Sequence, residues 1–146
     1  LFTMRLFGLI MRKDAREAVL ILLYGDLFDA ERDDTEISLF LREKKLNDSD
    51  KLFADNLYRS VKEHEEFLLN AISDIAKGFK LNRIFPIDKC ALLIGMCELT
   101  YFPDVPKIVA IDEAVNLSKK YSTEKSSDFV NGILAEYKKR MECSEQ

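Results

Sequence analysis

Six cations and two aromatic rings carry the strongest chemical signal in the sequence. Arg12, Lys13 and Arg16 open one helical stretch, while Lys119, Lys120 and Lys125 bracket Tyr121 and lead through Ser126 to Phe129. Cations of this kind neutralise phosphates, and aromatic faces set among them stack unpaired bases, which is how proteins hold single-stranded nucleic acid. The competing reading is structural: lysines at helix ends complement the helix dipole without any ligand, and Phe129 alone reads as a core residue.

Other reactive residue types do not assemble into a site. His64 is the only histidine, and it falls on an apolar helical stripe, where a core-edge role fits better than catalysis. Asp112 and Glu113 are chain neighbours, so on a helix their side chains diverge by about 100° and cannot share a proton or an ion. Ser126, Ser127 and Asp128 have no histidine nearby to act as base, and a helix cap explains them better. Phosphate-binding loops, dinucleotide fingerprints, HExxH and paired CxxC motifs are absent from the sequence. The expectation is a protein with no catalytic residue, no metal and no cofactor.

Composition narrows the class further. The chain has 146 residues, 47% of them hydrophobic, with five Gly, three Pro and no Trp, the profile of one helical domain with its own core. Its net charge of -4 excludes coating nucleic acid by bulk positive charge. The distribution is uneven, however: residues 1–16 hold four bases against Asp14, and residues 29–36 hold five acids against Arg32. Three cysteines, Cys90, Cys97 and Cys143, do not make a secreted disulfide framework; Cys90 and Cys97 stand roughly 10 Å apart along a helix, too far to bridge. They read as core thiols in a reducing cytoplasm. The apolar opening LFTMRLFGLI is shorter than the roughly 20 residues a membrane span needs, and no membrane role is expected.

Periodicity supplies the elements that must hold these residues. A first helix follows Asp14 with Ala15, Val19, Leu22 and Leu23 on one face; DAERDDTE reads as a solvated loop, and ISLFLREKKL as a short helix ending at Asn47-Asp48. Phe53, Leu57, Val61, His64, Leu68, Ile72 and Ile75 then form a stripe too long for one compact helix, with a break expected near Glu63. Pro86 opens a helix through Tyr101 with Asp88 in its first turn, and Pro106 suits the first position of the next. In the last helix Ser126 reads as the cap, and Gly132 as the place where a neighbouring helix crosses too closely for a side chain. The fold class is all-α, about seven helices.

With these elements in place, the motifs resemble those of the NusB antitermination factors. DAREAVLILLY, IFPIDKCALLIGMCELTY, DVPKIVAIDEAVNLSKKYS and SSDFVNGIL occur in the family's order, and the likeness runs from about Arg12 to Arg140. The resemblance implies two three-helix bundles packed across each other, and binding of boxA RNA together with NusE, a small-subunit ribosomal protein, in a complex on RNA polymerase that suppresses termination, notably in ribosomal RNA operons. Carried over by position, it makes Arg12, Lys13, Arg16, Lys119, Lys120, Lys125, Ser126 and Phe129 RNA-binding residues, and Tyr24 and Asp88 partner-facing ones. Residues 12–141 would form the domain, residues 1–11 an N-terminal extension with Met11 a candidate initiator, and residues 142–146 a tail. Two departures stand out: Asp14 interrupts a run that is often three arginines, and Leu93 replaces a frequent arginine. The alternatives are a helical protein-interaction module, including a homodimer that masks the basic patch, and the NusB-like domain of a ribosomal RNA methyltransferase, for which no glycine-rich cofactor motif is present.

Overall fold

A computed structural model describes residues 12–28, 32–78 and 80–144. The expected N-terminal extension, residues 1–11, lies outside the described residues. Within them are seven α-helices, one 3-10 turn and no strand: α1 Lys13–Asp26, α2 Asp34–Glu43, α3 Asp48–Glu63, α4 Glu65–Ile75, the turn Leu81–Arg83, α5 Pro86–Tyr101, α6 Lys107–Tyr121 and α7 Glu124–Ser144. The chain divides into two compact units, residues 1–59 and 60–146.

The first unit is built on the apolar face of α1. Ala15, Ala18, Val19, Leu22 and Leu23 are buried at helical spacing, joined by Ile37 and Leu41 of α2 and by Phe53, Ala54 and Leu57 of α3. The C-terminal end of α1 is tied down through Asp26, which accepts hydrogen bonds from Tyr58 Oη at 2.5 Å and Arg32 Nε at 2.8 Å. Arg59 links α3 to α2 through Asp34 at 2.8 Å. Two helix starts differ from the sequence expectation, and both are capping effects. The acidic loop ends early because Asp33 accepts from the Glu36 amide at 2.8 Å, drawing Asp34 to Glu36 into α2. Asn47, expected as a stop, instead starts α3 by accepting from the Asp50 amide at 2.8 Å.

In the second unit α5, α6 and α7 pack on one another, and α4 packs against α5 and α7. The helix α5 is buried on all sides over its middle, as a central helix is: every residue from Cys90 to Leu99 is buried, all apolar save Glu98. Full burial of Leu92, Ile94 and Met96 contributes about 2 kcal/mol each before conformational entropy is subtracted. Pro86 occupies the first turn of α5, as expected, whereas Pro106 precedes α6 by one position.

The expected break in the long stripe falls at His64, between α3 and α4. Its Nδ1 lies 2.9 Å from the Ser60 carbonyl oxygen, which can only accept, so Nδ1 carries the proton. The ring stacks on Tyr101 at 3.8 Å and is half-buried, the core-edge position expected of it.

Close helix approach is met at a different glycine from the one expected. A Cβ on Gly95 of α5 would lie 2.7 Å from Leu134 Cδ1 and 2.9 Å from Ala114 Cβ, so α6 and α7 both converge there. Gly132, by contrast, is exposed and meets nothing within 4 Å. The last helix also continues past the expected domain limit at residue 141, with Lys138 paired to Glu142 at 2.9 Å and Ser144 Oγ donating to the Arg140 carbonyl at 2.9 Å.

Candidate functional site

The ten residues singled out in the sequence fall in both units. In the first, Lys13 is exposed at the start of α1, and Arg12 is half-buried with its guanidinium 4.4 Å from the centre of the Phe53 ring. Arg16 departs from the expectation of an RNA contact. It has no exposed surface and lies 5.2 Å from the same ring, because one helical turn separates it from Arg12 on the face that packs against α3. A phosphate in solution has no surface of Arg16 to reach. Tyr24, 38% exposed, stands edge-on to Phe28 at 5.1 Å. Ile21, Leu27 and Phe28 are exposed too, so the C-terminal half of α1 and the two residues after it present apolar side chains.

In the second unit the cations stand out from helix ends. Lys119 and Lys120 belong to the last turn of α6, where they complement its dipole, and Lys125 to the first turn of α7; all three are exposed. Lys120 Nζ lies 5.4 Å above the Tyr121 ring. Phe129 is half-buried and lines a cavity together with Lys125 and Ser126.

Two further positions carry corrections. Ser126 does not cap α7: Thr123 does, accepting from the Ser126 amide at 3.0 Å, and Ser126 itself is buried in the first turn. Asp88, expected on a partner-facing surface, is 4% exposed and accepts a 2.7 Å hydrogen bond from Ser118 Oγ, fastening α5 to α6.

No group of three or more His, Cys, Asp or Glu side chains among the described residues is placed to hold a metal ion. Cys90 and Cys97 are buried and Cys143 exposed. Burial pushes the Cys97 thiol up to about 12, against a smaller opposing effect of its hydrogen bond with Ser60. A thiol kept neutral in this way is a poor nucleophile. No helix among the described residues is long and apolar enough to cross a membrane.

An all-α chain with lysines exposed at the α6–α7 junction, one of them beside a half-buried ring, has the features of a helical nucleic-acid-binding protein. The sequence model of the NusB family matches residues 13–139, and the chain belongs to that family. It is similar to the transcription antitermination protein NusB of Finegoldia magna, 36% identical over 131 residues that cover 90% of this chain and 96% of the relative. The Methylacidiphilum infernorum protein of the same name is 42% identical over 89 residues, covering 61% of this chain and 62% of that one. Among solved structures, Thermotoga maritima NusB superposes with a TM-score of 0.78 at 32% identity, covering 88% of this chain and 90% of its own. A crystal structure of antitermination factors NusB and NusE in complex with double-stranded RNA matches with a TM-score of 0.79 at 26% identity, covering 88% and 96%.

Proposed function

We propose that this chain is a transcription antitermination factor that binds boxA-type single-stranded RNA together with NusE, in a cytoplasmic complex on RNA polymerase that suppresses termination, notably in ribosomal RNA operons. The observation that carries the reading is the junction of α6 and α7. There Lys119, Lys120 and Lys125 are exposed at the facing helix ends, Lys120 over the Tyr121 ring and Lys125 beside Phe129 in one cavity wall, cations and rings suited to phosphates and unstacked bases. Arg12 and Lys13 supply further phosphate contacts, whereas Arg16 acts by holding the start of α1 against Phe53. Ser126 and Asp88 act from within, by fixing the first turns of α7 and α5. The apolar stripe at Ile21, Tyr24, Leu27 and Phe28 takes NusE.

Binding to boxA RNA and to a scrambled control, measured with NusE across a salt series, tests the reading. The expected outcome is tighter binding of boxA, with log affinity falling linearly against log salt. Equal affinity for the two RNAs would overturn sequence-specific recognition. The same stripe favours a second reading, in which another copy of the chain occupies it. Light scattering separates the two: a dimer that NusE does not dissociate supports the second.

A further inference from the structure

In the first unit the apolar side chains that the proposed reading gives to NusE run past the end of the helix that carries them. The helix α1 closes at Asp26, yet Leu27 and Phe28, 42% and 71% exposed, stand beyond it. Their amides reach back only three residues, Leu27 N–H to the Tyr24 carbonyl at 3.2 Å and Phe28 N–H to the Gly25 carbonyl at 3.1 Å, the tightened pattern of a last turn with poorer hydrogen-bond geometry. A helix end of this kind opens readily unless tertiary contacts hold it.

Three neighbours supply that hold. Asp26, its side chain only 10% exposed, accepts from Arg32 Nε at 2.8 Å and from Tyr58 Oη at 2.5 Å, so one carboxylate ties the end of α1 to the segment entering α2 and to α3. Hydrogen bonds to a charged acceptor are stronger than neutral ones, which suits them to this task. Gly25 makes the room: the Arg32 guanidinium lies over it, and a Cβ there would collide with Arg32 Nη2 while meeting no other side chain within 4 Å among the described residues. Tyr58 is 4% exposed, so it grips Asp26 from inside and offers a partner almost no surface.

We infer that Gly25, Asp26, Arg32 and Tyr58 form a clasp that holds Leu27 and Phe28 in the conformation NusE binds, so that the partner does not have to order this helix end itself. The inference rests on the reading that NusE takes the apolar side chains of α1, and it adds four positioning residues to that reading. None of the four was visible as a site in the sequence, since the clasp joins Asp26 to residues 6 and 32 positions away. A surface ordered for only part of the time binds with its affinity reduced by the fraction in the competent form, and that loss falls on association. A residue that touches the partner shows its loss mainly in dissociation. Kinetics therefore separate the two roles.

Tyr58→Phe removes one hydroxyl and keeps the ring, and Gly25→Ala displaces only the free end of a long side chain, so both variants keep the core. The experiment measures association and dissociation of NusE on the full chain by biolayer interferometry, with Phe28→Ala as the contact control. Tyr58→Phe, Gly25→Ala and Arg32→Ala are each expected to slow association roughly three- to tenfold, the scale of ordering one or two residues on binding, with dissociation little changed. Phe28→Ala should instead speed dissociation. Gly25→Ala should add nothing in an Arg32→Ala background, because the side chain it collides with is gone. Wild-type rates in Tyr58→Phe and Gly25→Ala, with Phe28→Ala impaired, would overturn the clasp and leave the NusE surface standing. A loss confined to dissociation, or a lowered melting temperature with wild-type association, would also overturn it, since the four residues would then only stabilise the fold. If Phe28→Ala binds NusE as the wild type does, or the wild type does not bind NusE, the surface assignment itself fails and the inference fails with it.

Discussion

In the first unit two arginines are drawn into the fold, Arg16 fully buried and Arg12 lying over Phe53, whereas in the second unit Lys119, Lys120 and Lys125 project from helix ends. The same residue class therefore does two jobs. A guanidinium is planar and more weakly hydrated than an ammonium, so it can lie flat on a ring and leave water at lower cost. An ammonium on a flexible stem keeps its hydration and meets a phosphate as a point charge. Arg16 thus positions the start of α1, whereas the exposed lysines at the α6–α7 junction are, on the proposed reading, the ones that contact RNA.

Arg16→Ala should break this contrast most visibly. Removing a buried guanidinium strands its hydrogen-bond partners and leaves a void, with an expected loss of about 3 kcal/mol in denaturant unfolding. Arg16→Lys should recover only part of it, because an ammonium cannot lie flat on Phe53. If Arg16→Ala unfolds at the wild-type midpoint, the distinction between positioning and contacting cations is lost.

The second unit buries an ionisable group of another kind, the Cys97 thiol. Its ordinary value is 9.0 and burial lifts it to about 12, so the unfolded chain gives up this proton first. Between those values the unfolded state binds fewer protons, and stability falls as pH rises. The slope from this group approaches about 1.4 kcal/mol per pH unit between the two values, and it fades well below 9.0, where both states hold the proton. Urea unfolding at successive alkaline pH values should show Cys97→Ala with a shallower decline than the wild type, whatever its absolute stability. Parallel declines would mean that the thiol titrates alike in both states.

The two helical glycines of the second unit, Gly95 and Gly132, sharpen the same distinction between packed and open positions. Gly95→Ala should cost about 1–3 kcal/mol, because the new methyl group meets Leu134 and Ala114 inside 3 Å. Gly132→Ala should stabilise by up to about 1 kcal/mol, since α7 gains helix propensity and the methyl group meets nothing. Thermal melts of the pair decide it, and equal shifts would contradict the helix crossing at α5.

The glycine pair also marks where sequence reading stops. The apolar stripe, Pro86 and the break near Glu63 were legible because periodicity and proline geometry are local properties. Which glycine meets a neighbour depends on how three helices converge, and no local pattern encodes that. The caps failed for a related reason. Ser122, Thr123, Ser126 and Ser127 offer four hydroxyls in six positions, and only the backbone path selects Thr123. Arg16 looked like a free cation because a basic cluster in sequence says nothing about which turn faces a ring. The lysines between α6 and α7 were legible as a group, whereas the cavity beside Lys125 depends on Arg83 and Phe85, about forty residues earlier in the chain.

The smallest effect is expected from Lys120→Ala, and it bears most directly on the contrast between the units. Lys120 is exposed above the Tyr121 ring, so its loss should leave the melting temperature unchanged. Binding to boxA and scrambled RNA should weaken to a similar degree, and the slope of log affinity against log salt should drop by about one, as for a single phosphate contact. Replicate titrations at several salt concentrations resolve a change of that size. A lowered melting temperature with an unchanged slope would place Lys120 with Arg16 as a structural cation, and the two units would then differ only in how deeply they bury the charge.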